Sequence, residues 1–132
     1  MINVLLVDDS RVTREVTKLY LIHRKDVTVQ EARSGEDALK SIRALKPDVV
    51  LADMQMPRLD GAGLCTAMGA DPALSGIPVV ILTSVQDPRA HQQCLVAGAK
   101  EILSKPVEPE HLMAALHRAL GDRFPLKERP AR

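Results

Sequence analysis

The chain has 132 residues, of which 45% are hydrophobic and 27% are charged, and its formal net charge is +1; this describes one globular domain that needs neither a disulfide nor a metal ion to fold. Aromatic residues make up 2% of the chain, so a base-stacking platform is not expected, and the balanced charge does not suggest a nucleic-acid surface. The two cysteines, Cys65 and Cys94, form no CxxC pair, which favours free thiols in a reducing compartment and a cytoplasmic location.

Five short aliphatic runs alternate with segments of helical period. The runs are rich in β-branched residues and too short for helices, which indicates buried strands; they are residues 4–7, 27–30, 49–52, 79–82 and 102–103. The alternation of strands and helices predicts an α/β fold with a parallel sheet covered on both faces. The N-terminus carries no basic leader and no long apolar stretch, so neither a secretion signal nor a membrane span is expected.

Apolar stripes with helical spacing predict which helix faces meet the sheet. The clearest stripes are Val12, Val16, Leu19 and Tyr20; then Ala38, Leu39, Ile42 and Leu45; then Leu112, Ala115, Leu116, Ala119 and Leu120. Capping signals agree, with Ser34 before the second helix, Asp87-Pro88 before the fourth and Glu108-Pro109 before the last. We expect a domain over residues 1–120 and a basic, flexible tail or linker stub over 121–132.

Chemically active side chains follow the predicted strands. Asp8 and Asp9 come after the first, Asp53 after the third, Thr83 and Ser84 at the end of the fourth, and Lys105 after the last. Ligands bind at the carboxyl ends of parallel strands, so these groups are expected to converge. Three close carboxylates raise one another's pKa unless a cation joins them, and oxygen ligands suit Mg²⁺. One acid is then available as a nucleophile that forms an acyl phosphate.

The ordered motifs identify a family. The set Val7-Asp8-Asp9-Ser10, Asp53-Met54-Gln55-Met56-Pro57, Asp60-Gly61, Leu82-Thr83-Ser84, Ala97-Gly98-Ala99 and Lys105-Pro106 resembles the CheY-like receiver domain of two-component response regulators, over about residues 2–120. The resemblance implies a doubly wound, five-stranded parallel sheet of order 2-1-3-4-5 with five helices. It also implies a signalling phosphoacceptor rather than an enzyme, with only self-catalysed phosphorylation and slow autodephosphorylation.

By this resemblance, Asp53 accepts a phosphoryl group from a histidine kinase's phosphohistidine or from a small phosphodonor. Asp8, Asp9, Asp53 and the backbone carbonyl of Gln55 correspond to the Mg²⁺ ligands. Thr83 corresponds to the switch hydroxyl, and Lys105 to the lysine that pairs with the phosphoryl group. The implied partners are a sensor histidine kinase or phosphotransfer protein, and a downstream protein on the face formed by helix 4, strand 5 and helix 5, without nucleic acid or membrane.

Two positions depart from the family pattern. Ile102 stands where receivers usually carry Tyr or Phe, three residues before the lysine, and Val107 stands where Phe often follows Lys-Pro. An aliphatic side chain cannot make the same ring swing, so phosphorylation chemistry is expected to survive while its coupling to output changes. The expected output surface comprises Arg89, Gln92, Gln93, Val96, Lys100 and Ile102.

Three other functions remain as alternatives. A Mg²⁺-dependent phosphohydrolase of the haloacid dehalogenase type needs a second acid two residues after its nucleophile, where Gln55 stands. A flavodoxin-like cofactor binder is disfavoured because Asp8 and Asp9 would repel a bound phosphate. A receiver-like protein that binds partners without phosphate is opposed by the complete set of acids, hydroxyl and lysine.

Overall fold

A computed structural model describes residues 1–126 of the chain as alternating strands and helices. The strands are β1 (Ile2–Val7), β2 (Val27–Ala32), β3 (Val49–Asp53), β4 (Val79–Thr83) and β5 (Glu101–Ser104). The α-helices are α1 (Arg11–Leu21), α2 (Gly35–Leu45), α3 (Gly61–Gly69), α4 (Pro88–Ala97) and α5 (Pro109–Leu120). All strand pairs are parallel and the order is β2-β1-β3-β4-β5, which confirms the predicted fold class.

Strand burial differs between the centre and the edges of the sheet. All of β4 and all of β3 except its last residue, Asp53, are buried. The edge strands β2 and β5 are largely half-buried or exposed, because an edge strand has a neighbour on one side only. The expectation of buried strands is therefore correct for the central strands and wrong for the edges.

Two hydrophobic cores lie on opposite faces of the sheet. Alternate strand residues point to opposite faces, so Leu5 and Ile81 pack with α2, α3 and α4 in one core, while Leu6 and Leu82 pack with α1 and α5 in the other. Both cysteines are free and buried in the first core, where burial raises the pKa of the Cys65 thiol to about 12. The free-thiol prediction is confirmed.

Helix α1 presents a different face to the sheet from the one that its apolar stripe predicts. Val12 is 74% exposed and Leu19 61%, whereas Arg14, Thr17 and Leu21 are buried. The reason is polar: the Arg14 guanidinium has hydrogen-bond partners at the carboxyl end of β1 and in β2, and a buried guanidinium must keep its partners. The predicted stripe on α1 is therefore wrong for Val12, Val16 and Leu19, which form a solvent-facing surface, while Tyr20 packs against the second core.

The packed part of the chain extends beyond residue 120. A short 3₁₀-helix covers Gly121–Arg123, and the side chain of Phe124 is fully buried. The guanidinium carbon of Arg24 lies 3.9 Å from the centre of the Phe124 ring, and the His117 ring donates a hydrogen bond through Nδ1 to the Phe124 carbonyl at 2.7 Å. The first part of the predicted tail thus packs on the domain, and residues 127–132 lie outside the described residues.

Within residues 1–126, the helices are too short or too polar to cross a membrane.

Candidate functional site

Three carboxylates meet at the carboxyl edge of the sheet. Val7 of β1 pairs with Ala52 of β3, so Asp8 and Asp53, which follow them, are neighbours. Asp8, Asp9 and Asp53 each offer an oxygen, and these atoms all lie within 4.8 Å of one another. The structure therefore brings together the three acids that the sequence placed after two different strands, the first and the third.

Lys105 completes the charged cluster from the loop after β5, where its peptide bond to Pro106 is cis. Its Nζ atom lies 3.1 Å from Asp8 Oδ2 and 3.3 Å from Asp53 Oδ1. The Gln55 backbone N–H donates to the same Asp53 oxygen, Oδ1, at 3.4 Å. One oxygen of Asp53 thus contacts both a cation and a backbone donor, and the side chain is 13% exposed.

The surroundings of Asp53 disfavour its ionised form. Burial raises the pKa of Asp53, the positive charge of Lys105 opposes this rise, and the negative charge of Asp8 adds to it, with the net result above the ordinary value. An additional cation nearby would favour the ionised form of such a carboxyl group and so lower its pKa. The repulsion between the carboxylates of this cluster therefore favours binding of a metal ion or another positively charged group.

The donor set fits a divalent cation. Asp8, Asp9 and Asp53 carry three negative charges in the ionised state, and Lys105 supplies one positive charge. Hard carboxylate and carbonyl oxygens at an edge open to water are the ligands that suit Mg²⁺. Asp9 and Gln55 are exposed, which leaves room for water in the coordination shell.

Replacing Asp53 with asparagine is expected to stabilise the metal-free protein at pH 7, because it removes a carboxylate whose pKa is raised on folding. The ionised carboxylate costs stability above its folded-state pKa, and this cost disappears as the pH falls to the ordinary value of 3.8. In urea unfolding with EDTA present, the free energy of unfolding should therefore be larger for Asp53→Asn than for wild type at pH 7, and this difference should decrease as the pH is lowered. The exposed Asp122→Asn serves as control, and equal stabilities at pH 7 would contradict the prediction.

Thr83 ends β4 and is 1% exposed. Its Oγ1 accepts a hydrogen bond from the Val85 N–H at 3.0 Å, and the Val85 carbonyl accepts one from His91 Nε2 at 2.6 Å. The first residues of the β4–α4 loop are thereby tied to α4. Nothing in the sequence spacing of His91 identifies this link.

A second residue that the sequence pattern did not single out is Arg14. The apolar stripe of α1 assigns it to a solvent-facing side, whereas the structure buries it against the loop that carries Asp8. Arg14, Thr17 and Leu21 lie on one face of α1. The sequence did not identify this face as the buried one, because a charged residue is rarely found in a protein core.

An apolar groove of about 340 Å³ adjoins the charged cluster. It lies between α1 and the loop after β5, and its lining includes Val12, Val16, Tyr20, Lys105 and Val107. The exposed face of α1 therefore continues directly to the lysine that contacts Asp53.

The expected output surface is largely open to solvent. Arg89, Gln92, Gln93 and Lys100 are exposed, and Val96 is 78% exposed. Ile102 is half-buried and packs against the core below α4. The aliphatic residue thus lies where both the core and the solvent contact it.

Sequence comparison finds relatives in bacterial regulatory proteins. The chain is 39% identical over 104 residues to the gliding motility regulatory protein of Myxococcus xanthus and 34% identical over 127 residues to the response regulator MprA of Mycobacterium ulcerans. These matches cover 79% and 96% of this chain. The chain spans 13% of the first relative and 53% of the second, so both are much longer proteins.

Structural comparison finds the same fold. The chemotaxis protein CheY4 of Vibrio cholerae superimposes with a TM-score of 0.84 at 31% identity, covering 91% of this chain and 99% of that protein. The family model of the response regulator receiver domain matches residues 4–117. With the acids, hydroxyl and lysine gathered at the sheet edge, this match shows that the chain belongs to the CheY-like receiver domain family of two-component response regulators.

Proposed function

We propose that Asp53 is the phosphoacceptor of this domain and takes a phosphoryl group from the phosphohistidine of a sensor histidine kinase or phosphotransfer protein, or from a small phosphodonor. The observation that carries the proposal is the position of the Asp53 carboxylate, 3.3 Å from Lys105 in one cluster with Asp8 and Asp9. Membership of the receiver family supports a signalling role.

In the proposed transfer, a carboxylate oxygen of Asp53 attacks phosphorus, the bond from phosphorus to the histidine nitrogen breaks, and the imidazole leaves with the electron pair. The product is an acyl phosphate on Asp53. Asp8, Asp9, Asp53 and the Gln55 carbonyl would hold Mg²⁺, which when bound neutralises charge on the phosphoryl oxygens. Lys105 contacts Asp53 already, so its ammonium is placed to pair with a phosphoryl oxygen.

The donor protein has to approach Asp53 from solvent. The apolar groove beside α1 ends at Lys105, and the exposed side chains of Val12 and Val16 lie along it. A donor that reaches Asp53 from this side would lie on apolar as well as charged surface. This arrangement supports a protein donor, and we propose that the transfer belongs to a two-component pathway in the cytoplasm.

The proposed output runs from Thr83 to the face of α4, β5 and α5, where a downstream protein would bind. The Thr83 hydroxyl oxygen accepts from Val85 in this structure, which leaves its proton free to be donated to a phosphoryl oxygen. Because Val85 is tied to His91 of α4, movement of Thr83 would reach α4 even with Ile102 in place of an aromatic ring. We propose residues 1–120 as the signalling unit. Phe124, which follows this unit in the chain, packs into its core.

We propose slow loss of the phosphoryl group by self-catalysed hydrolysis, without other enzymatic activity. Val85 lies two residues after Thr83 and cannot orient an attacking water, so Val85→Glu is expected to hasten loss by about tenfold or more. Decay of the phosphorylated protein, followed by intact mass after removal of donor, measures this. Val96→Glu adds the same charge on α4 and should decay at the wild-type rate. Equal decay of Val85→Glu and wild type would contradict the prediction.

The proposed function is tested by incubation with Mg²⁺ and acetyl phosphate, followed by intact-mass measurement. Wild type is expected to gain one phosphoryl group, and Asp53→Asn to gain none. Asp60→Asn, which removes a helix-capping carboxylate on the same loop, is the control and should still gain one. Steady release of phosphate without accumulation would instead support a phosphohydrolase, and an unchanged mass would support a receiver that acts without phosphate.

A further inference from the structure

Arg14 links the acidic loop to the edge strand beside it. Although it belongs to α1, it is 7% exposed. Its Nη1 donates to the backbone carbonyl of Asp8 at 2.6 Å, and its Nε donates to Glu31 Oε1 at 3.1 Å. Lys18 contacts the other oxygen of Glu31 at 3.1 Å, so the carboxylate that orients the guanidinium is itself held from both sides.

The Asp8 carbonyl is an informative contact point. It belongs to the peptide group that joins Asp8 to Asp9, so its orientation sets the directions in which both carboxylates leave the backbone. The hydrogen bond from Arg14 is buried, and a buried carbonyl that loses its donor becomes unsatisfied. Without Arg14, this peptide group would turn to find another donor, and the two carboxylates would turn with it.

We propose that Arg14 is a positioning residue for the Mg²⁺ site, which fixes the Asp8-Asp9 peptide by bridging its carbonyl to Glu31. The inference rests on the proposed function, because it requires Mg²⁺ to bind Asp8, Asp9 and Asp53. Groups that orient metal ligands from outside the coordination shell typically change metal affinity 10- to 100-fold when removed. Arg14→Met, which keeps an apolar stem, is therefore expected to bind Mg²⁺ about tenfold more weakly or worse.

The sign of this effect separates positioning from simple electrostatics. A guanidinium near a cation site repels the cation, so loss of its charge alone would strengthen Mg²⁺ binding. Loss of a positioning contact weakens it. Arg14→Lys keeps the charge but not the fork that bridges two partners, and is expected to bind Mg²⁺ about threefold more weakly.

Arg24 provides a matched control at the opposite end of the sheet. It is 5% exposed, donates to the Pro125 carbonyl at 3.0 Å, and is paired with Asp26 at 2.6 Å. Arg24→Met therefore removes a buried guanidinium with the same kinds of partner, beyond the amino end of β1. It is expected to lose stability in urea unfolding while keeping the wild-type affinity for Mg²⁺.

The experiment is calorimetric titration of Mg²⁺ into wild type, Arg14→Met, Arg14→Lys and Arg24→Met, each checked for folding by circular dichroism. Weaker binding confined to the Arg14 variants supports the inference, as does a matching rise in the Mg²⁺ concentration that half-saturates phosphorylation. Mg²⁺ binding by Arg14→Met with wild-type or higher affinity would overturn the inference. If Arg14→Met does not fold, wild-type Mg²⁺ affinity in Arg14→Lys would overturn it instead. Absence of Mg²⁺ binding in wild type would overturn both the metal site and this inference.

Discussion

Lys105→Met is expected to slow phosphorylation of Asp53 by acetyl phosphate about 10²- to 10³-fold, the usual effect of removing one group that stabilises charge developing in a transition state. The ammonium lies within 3.3 Å of both Asp8 and Asp53, so methionine removes the positive charge on that side of the cluster. The carboxylates would then repel each other more strongly, and a phosphoryl group arriving with further negative charge would meet no ammonium.

The initial rate of mass gain at saturating Mg²⁺ measures this effect. Lys100→Met is the matched control, because Lys100 is exposed and lies directly before β5, whereas Lys105 lies directly after it. The rate of Lys100→Met should stay near that of wild type. A rate for Lys105→Met within about threefold of wild type would show that the ammonium does not act on the phosphoryl group.

Phe124→Ala is expected to cost about 3–5 kcal/mol of stability, as for other large-to-small changes at buried aromatic positions. Phe124 is fully buried beneath the Arg24 guanidinium, and its backbone is held by His117. The loss is a large part of the 5–15 kcal/mol that stabilises a typical domain. The short segment after α5 is thus expected to be part of the folding unit.

The free energy of unfolding in urea measures this cost. Leu126→Ala, two residues further along at a side chain 56% exposed, is the control and should stay within about 0.5 kcal/mol of wild type. A cost below about 1 kcal/mol for Phe124→Ala would show that residues 121–126 do not contribute to the core, and would return the boundary of the domain to residue 120.

Much of the fold can be predicted from local patterns. The five aliphatic runs correspond to the five strands, most clearly at β3 and β4, because a central strand between two helical layers is apolar over most of its length. Asp8, Asp53 and Lys105 could be located because parallel strands place their carboxyl ends at one edge, so position in sequence translates directly into position in space. The convergence of the three acids therefore needed no tertiary information beyond strand order.

The rotation of α1 could not be predicted in this way. Helical period shows which residues share a face, but not which face turns toward the sheet when a polar group has distant partners. Burial of Arg14 decides the orientation of α1, and Val12 and Leu19 are exposed as a result. The Arg14 guanidinium bonds Asp8 and Glu31, and neither residue lies at a helical spacing from Arg14 in the sequence. Exposing single apolar side chains is common and costs little compared with an unpaired buried guanidinium.

The sequence by itself determined the parallel sheet and the set of groups at its carboxyl edge, since these depend on short-range patterns and on the geometry of parallel strands. The order of the strands was predicted from the family resemblance. Only the tertiary structure decided that Arg14 contacts the acidic loop, that His91 is hydrogen-bonded to Val85, and that Phe124 is buried in the second core. Each is a contact between groups whose spacing follows no period, so each depends on how the whole chain packs.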